Sequence, residues 1–150
     1  MYLRILVGTV SGTAQRVADA IALACDDLAS ITVLPMDGLD IAVFDAPVPL
    51  TLLCCSTYGS GDVPDNALGL YESLASDPRY LGHLRYGVIA LGDSSHGESF
   101  CGGGLRFDER LSDLGAHRVG ELLRLDAMEE PEPEQAAVAW CRNWLASAEA

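Results

Sequence analysis

Short apolar runs alternate with longer segments of helical periodicity along this chain, and this alternation constrains the fold more than any other feature. Residues 2–7 form an apolar run that ends at Gly8, and residues 50–55 form a second run that is apolar on both faces. Between them, Val17 and Ile21 recur at a helical spacing of about 3.6 residues among polar neighbours. Strands that alternate with helices predict a parallel sheet with helices on both faces.

Five strands are predicted, at residues 2–7, 31–36, 50–55, 86–91 and 119–125. A helix begins near Thr13, a second is capped by Asp65 or Asn66, a third includes Phe107, Leu111 and Leu114, and the last covers about residues 134–147. Right-handed crossovers leave few topologies for five strands, and among these the strand order 2-1-3-4-5 is favoured. A chain of 150 residues, 49% of them hydrophobic, fits one domain over residues 1–150, a three-layer α/β sandwich.

The loop after the first strand has the composition of an anion site. It reads Thr9-Val10-Ser11-Gly12-Thr13-Ala14. Its hydroxyl groups, its glycine and the N–H groups of the following helix suit a phosphate, although small hydroxyl residues also cap ordinary helices. The loop lacks the Gly-Lys-Ser/Thr of a nucleotide-hydrolysing P-loop and the three-glycine dinucleotide fingerprint. It therefore predicts a site for a monophosphate.

Two further loops lie at the ends of the third and fourth strands, on the same edge of the predicted sheet. The first reads Ser56-Thr57-Tyr58-Gly59-Ser60-Gly61-Asp62-Val63-Pro64-Asp65-Asn66. The second reads Gly92-Asp93-Ser94-Ser95-His96-Gly97-Glu98-Ser99-Phe100-Cys101-Gly102. An aromatic ring beside two glycines at a strand end suits a flat ligand such as a flavin, which stacks on the ring and bonds to the backbone.

The motif Ser-Thr-Tyr-Gly-x-Gly-Asp-x-Pro-Asp-Asn-Ala that starts at Ser56 resembles the FMN-binding loop of flavodoxin-like domains in cytochrome P450 reductases and sulfite reductase flavoproteins. Leu91-Gly-Asp-Ser-Ser and Phe100-Cys101 are similar to the third flavin loop of those domains. The final third, which includes Trp140 and Trp144, is similar to short-chain flavodoxins of the MioC type. The chain is thus identified as a member of the flavodoxin-like family, over essentially its whole length.

This resemblance implies a flavodoxin-like fold and a non-covalently bound flavin mononucleotide (FMN) that passes single electrons between proteins. It implies a phosphate held without a basic side chain, a flavin ring stacked on Tyr58, and loop backbone bonded to the polar edge of the ring. The Gly59 carbonyl is the candidate that accepts a hydrogen bond from the proton-bearing N5 of the ring. The implied cofactor-binding residues are Thr9, Val10, Ser11, Gly12, Thr13, Ala14, Ser56, Thr57, Tyr58, Gly59, Ser60, Gly61, Gly92, Asp93, Ser94, Ser95, His96, Phe100 and Cys101.

The third loop departs from the family at the residue that covers the outer face of the ring. The family usually has a tyrosine there, whereas the nearest residue in this chain is His96, with an extra residue around Gly97. Three arrangements follow: His96 stacks on the ring, Phe100 or a partner protein covers that face, or the face stays open.

The charge of the chain restricts its partners. The net charge is −13, and the nine basic residues are scattered arginines with no basic run. Nucleic acid and anionic membrane surfaces are therefore not expected as partners. An acidic surface suits a basic protein, here a flavodoxin or ferredoxin reductase, together with an acceptor enzyme, although surplus charge also simply keeps a protein dispersed.

Cysteine and histidine placement argues against disulfide and metal chemistry. Five cysteines without a Cys-x-x-Cys pair predict reduced thiols and a cytoplasmic location, and three separated histidines predict no metal site. No apolar stretch is long enough for a membrane span or signal peptide. A monomeric electron carrier without catalytic residues is the favoured interpretation. A quinone reductase that uses NAD(P)H, or a partner-binding module without redox activity, remains an alternative.

Overall fold

The computed structural model describes residues 1–45, 47 and 50–149, with side chains for all of these except residues 96, 98 and 99. Short 3₁₀ helices span Ile41–Phe44 and Ser94–Ser99. The strands and α-helices follow in the order β1 (Tyr2–Gly8), α1 (Thr13–Ala24), β2 (Ser30–Pro35), β3 (Leu50–Cys55), α2 (Asp65–Ser76), β4 (Arg85–Gly92), α3 (Gly102–Asp113), β5 (His117–Arg118), β6 (Leu123–Asp126) and α4 (Pro133–Glu149).

All the strands pair in parallel, in the order β2-β1-β3-β4-β5, with β6 also paired to β4. The predicted order 2-1-3-4-5 is therefore confirmed. β1 lies between β2 and β3, so the chain leaves β1 toward one side of the sheet and leaves β3 toward the other. This is the switch point at which ligands bind in open α/β sheets.

Alternate residues of the central strands face two separate cores. Leu3, Ile5 and Val7 pack with α1 and α4 on one face of the sheet, and Leu6 packs with α2 and α3 on the other. β3 is buried along its whole length, as its continuous apolar run predicted. Within the described residues, no helix is both long and apolar enough to cross a membrane.

The fifth strand differs from the prediction. Instead of one strand over residues 119–125, two separate segments, β5 and β6, pair with β4. Gly120 between them has a φ of 69°, and the indole Nε1 of Trp144 donates to the Val119 carbonyl at 2.8 Å. The left-handed turn and this hydrogen bond take the backbone out of the ladder for four residues, which apolar patterning does not reveal.

Candidate functional site

Strand register brings the three predicted loops together at one edge of the sheet. Gly8 at the end of β1 pairs with Cys55 at the end of β3, and Cys55 pairs with Ala90 near the end of β4. The loops that follow these strands surround a cavity of about 490 Å³. That volume is within the roughly 300–1,000 Å³ of small-molecule and cofactor sites.

All three loops contribute to the wall of this cavity. The predicted residues that line it are Val10, Ser11, Thr13, Ser56, Thr57, Gly59, Gly92, Asp93, Phe100 and Cys101. Predicted residues in the same loops but outside the lining are Thr9, Gly12, Ala14, Tyr58, Ser60, Gly61, Ser94 and Ser95. The side chain of His96 lies outside the described part of the structure, so the three arrangements for the outer face stay predictions.

The first loop is folded so that its N–H groups are left for a ligand. The Gly12 N–H donates to the Thr9 hydroxyl at 2.8 Å, and Gly12, with a φ of 90°, leads into α1. The N–H groups of Val10, Ser11, Thr13 and Ala14 donate to no other described residue. Free donors at the start of a helix form an anion site.

Asn66 fastens this loop to the rest of the site. Its Oδ1 accepts from the Thr9 N–H at 2.9 Å, and its Nδ2 donates to the Val7 carbonyl at 3.2 Å and to Asp37 at 3.1 Å. The predicted capping role of Asp65 or Asn66 was wrong, because α2 begins at Asp65 and Pro64 occupies the cap position. The amide of Asn66 is engaged by three partners outside its own helix.

The second loop forms a tight turn with an exposed aromatic ring. Tyr58 and Asp62 exchange backbone hydrogen bonds of 2.8 and 2.9 Å, and these bonds close a turn that contains the three residues between them. Gly59 has a φ of 52°, and a β-carbon added there would touch nothing within 4 Å. Tyr58 is 49% exposed and follows Thr57 of the lining. This turn therefore has room to change conformation beside the cavity.

The start of α3 presses against the end of β3. A β-carbon on Gly103 would lie 2.2 Å from the Ser56 carbonyl oxygen, so only glycine permits this approach. The Thr57 hydroxyl donates to the Leu91 carbonyl at 2.8 Å and accepts from the Gly103 N–H at 3.1 Å. Because this hydroxyl is occupied, Thr57 offers mainly its backbone to a ligand.

The third loop is ordered by carboxylates and carries a neutral thiol. Asp93 accepts from the Ser95 N–H at 2.8 Å. Asp126 at the end of β6 accepts from the Ser94 N–H at 3.0 Å, and hydrogen bonding from Ser94 lowers the pKa of Asp126. Burial raises the pKa of the Cys101 thiol to about 11. The site thus holds fixed negative charge but no reactive thiolate near neutral pH.

Sequence reasoning missed one whole wall of the cavity. The additional lining residues are Arg16, Leu91, Leu125, Asp126, Ala127, Glu130 and Pro133. Five of them come from one segment: Leu125 and Asp126 end β6, and Ala127, Glu130 and Pro133 follow it. Strand order contained the missing signal, because the strand next to β4 must end at the same edge of the sheet.

The flavodoxin family model matches residues 5–140 of this chain. The chain belongs to the flavodoxin family. It is an FMN-binding protein that transfers electrons, and it acts with redox partner proteins. The three-loop cavity lies where a flavodoxin of this sheet order binds its ligand.

Several relatives match this flavodoxin over almost all of its length. It is 40% identical to flavodoxin YqcA of Pectobacterium carotovorum subsp. carotovorum, with 93% of this chain and 92% of the relative covered. A sulfite reductase flavoprotein alpha-component of Vibrio cholerae is 39% identical over 95% of this chain, which spans 23% of that protein. A solved structure of a mutant flavodoxin from Pseudomonas aeruginosa has a TM-score of 0.87 and 35% identity, with both chains fully covered.

Proposed function

We propose that the cavity holds FMN with its phosphate at residues 9–14 and its ring beside Tyr58, and that the protein carries single electrons from a reductase to acceptor enzymes. When bound, FMN takes up and releases electrons one at a time. The observation that carries the proposal is a cavity that adjoins two features: a loop with unpaired N–H donors, through Val10, Ser11 and Thr13, and the turn of the exposed Tyr58, through Thr57 and Gly59. In this proposal, residues 1–150 form one FMN-binding domain.

The described residues fit both ends of this cofactor. The free N–H groups of Val10, Ser11, Thr13 and Ala14 match a phosphate, which needs several donors and an approach that side chains do not block. The opposite part of the lining is apolar, through Leu91, Phe100 and Leu125. An apolar slot next to a polar cradle matches a flavin ring next to its phosphate.

Tyr58 and Gly59 have different roles at the ring. The Tyr58 side chain packs against one face, since an exposed aromatic ring between the lining residues Thr57 and Gly59 loses little by turning onto a ligand. The Gly59 carbonyl would accept a hydrogen bond from a protonated nitrogen of the ring once the Gly59–Ser60 peptide has reoriented. Glycine permits that reorientation because it occupies positive and negative φ with similar ease. Phe100, an aromatic residue of the lining, packs beside the other face.

The partner surface follows from charge. Asp93, Asp126 and Glu130 line the cavity, and the chain as a whole carries −13. The electron donor is therefore a reductase with a basic face, which docks over the cavity mouth of a monomer. The five free cysteines are consistent with work in the reducing cytoplasm. Raising the salt concentration should slow reduction by such a partner, and a rate independent of salt would contradict this docking.

The first experiment is a visible absorption spectrum of the purified protein, recorded before and after FMN is added and during stepwise anaerobic reduction. Flavin bands that disappear in two one-electron steps support the carrier proposal. Direct turnover of NAD(P)H with a quinone would favour the reductase alternative instead. If the folded protein takes up no FMN, the assignment of the cavity is wrong.

A further inference from the structure

Arg16 lies against the loop that we assign to the phosphate. It occupies the second turn of α1 and lines the cavity. Its guanidinium donates to the Thr13 hydroxyl at 3.1 Å, and its Nη1 is 3.8 Å from the position that a Gly12 β-carbon would occupy. The guanidinium is therefore beside the free N–H groups of the loop.

No other described lining residue of the cavity is cationic, whereas Asp93, Asp126 and Glu130 add negative charge. Among the described side chains, the guanidinium has one acidic neighbour, Glu134 in the first turn of α4, at 3.5 Å. Both side chains of this pair are exposed, at 61% and 36%. Exposed pairs of this kind are weak, so Arg16 can exchange partners easily.

We infer that Arg16 is the counter-ion of the FMN phosphate and that Glu134 competes for it when the site is empty. A phosphate monoester near pH 7 carries a charge of about −1.5 to −2 and three acceptor oxygens, so it attracts a guanidinium more strongly than one carboxylate does. This differs from the expectation that the family resemblance implies, which is a phosphate site without a basic side chain. It rests on the proposed function, since it assumes the phosphate at residues 9–14.

Discrimination between FMN and riboflavin follows from this arrangement. Both flavins present the same ring to Tyr58, but only FMN has the phosphate. Arg16 therefore contributes to FMN affinity and leaves riboflavin affinity unchanged. Its contribution is also sensitive to salt, because the guanidinium stays partly in water.

The test is titration of the flavin-free full chain with FMN and with riboflavin, for the wild type and three variants. We expect Arg16→Gln to weaken FMN binding about tenfold, equivalent to ~1.4 kcal/mol, and to change the affinity for riboflavin less than twofold. Glu134→Gln should raise the affinity for FMN about threefold, because the competing carboxylate is gone. Arg142→Gln is the matched control, since Arg142 pairs with Asp27 beyond the other end of α1 and should leave both affinities unchanged.

Several results would overturn the inference. Equal losses for FMN and riboflavin in Arg16→Gln would mean that Arg16 only supports the fold. An equal loss of FMN affinity in Arg142→Gln would mean that net charge alone matters. Weaker FMN binding in Glu134→Gln would contradict the competition. If the wild type binds neither flavin, the proposed function itself fails, whereas wild-type binding with an unchanged Arg16→Gln overturns the inference alone.

Salt dependence is an independent readout. Wild-type affinity for FMN should fall more steeply with potassium chloride than that of Arg16→Gln, while riboflavin affinity changes little in either protein. Arg16→Lys keeps the charge but loses the two-pronged donor geometry of the guanidinium. The salt dependence of its FMN affinity should therefore lie between those of wild type and Arg16→Gln. Parallel salt dependences for wild type and Arg16→Gln would contradict the direct contact.

Discussion

The two ends of the cavity are built in opposite ways. At the phosphate end, the loop after β1 is held by the Gly12 to Thr9 and Thr9 to Asn66 hydrogen bonds, at 2.8 and 2.9 Å. At the ring end, the turn from Tyr58 to Asp62 is closed only at its base, and open space surrounds Gly59. One end is fixed before the ligand arrives, and the other keeps the freedom to move.

This difference matches what each end does. A phosphate keeps its charge through the redox cycle, so donors fixed in advance lose no free energy to reordering. A flavin ring changes its protonation as it takes up electrons, so its neighbours must change their hydrogen bonds. The fixed end is therefore expected to distinguish FMN from a flavin without a phosphate, and the mobile end to set how the bound flavin responds to reduction.

The largest expected effect comes from removing the aromatic ring at the mobile end. Tyr58→Ala should weaken FMN and riboflavin alike, by about 30-fold, since stacking on an aromatic side chain contributes ~1–3 kcal/mol. It should also raise the second one-electron potential. Flavin fluorescence titration measures the affinities, and Tyr80→Ala, which removes a tyrosine that is 80% exposed and precedes β4, is the control. Unchanged flavin affinity in Tyr58→Ala would mean that Tyr58 does not stack on the flavin ring.

At the fixed end, Asn66→Ala should weaken FMN about tenfold and riboflavin about twofold. The variant loses the hydrogen bond that holds the Thr9 N–H, and each hydrogen bond contributes about 0.5–1.5 kcal/mol. Ser73→Ala in the same helix is the control, since Ser73 holds the Ile41 N–H at 2.8 Å outside the lining. It should lower the Tm without changing flavin affinity. Equal losses for both flavins in Asn66→Ala would erase the distinction between the two ends.

Gly59→Ala tests whether the mobile end must move. We expect oxidised FMN to bind within about twofold of wild type, while the first one-electron potential falls by about 50 mV. Reorienting the Gly59–Ser60 peptide while φ stays positive, as it is at 52°, takes residue 59 into backbone that is open mainly to glycine, and this costs an alanine ~1–3 kcal/mol. Gly38→Ala is matched to it, because Gly38 also has a positive φ, 71°, and nothing within 4 Å. An unchanged potential would mean that the turn does not reorient.

The smallest effect is expected at Asp126, which joins the third loop to β6. Asp126→Asn keeps an acceptor for Ser94 but removes a negative charge, so the second one-electron potential should rise by on the order of 20 mV. The lowered pKa of Asp126 keeps the carboxylate ionised throughout neutral pH, so the difference should be constant from about pH 6 to 8. Asp113→Asn at the end of α3 should not change the potential, and a rise that disappears toward pH 6 would contradict the assignment.

Much of this molecule could be predicted from its sequence because local patterns and tertiary structure agree. The run at residues 50–55 became a strand with the same limits, and Gly8 and Gly92 end strands that lead into the site. The match in the loop after Ser56 located the ring end before any geometry was known.

The unpredicted features depend on contacts between distant segments. Asn66 holds Thr9 across 57 positions of sequence, and no local pattern distinguishes that role from helix capping. Arg16 resembled an ordinary polar residue of an amphipathic helix, since only the fold places it at the cavity. The break in the fifth strand depends on the indole of Trp144, which comes 25 residues after the carbonyl that it binds.

That break gives the fold a natural point for grafting new sequence. β5 and β6 each keep their own pairing with β4, and the exposed Glu121 lies between them. An added segment after Gly120 would lengthen a loop without cutting a ladder, and each doubling of loop length costs only about 0.6 kcal/mol. A tag or a small binding module hosted there would leave the end of β6, and with it the wall of the cavity, in place.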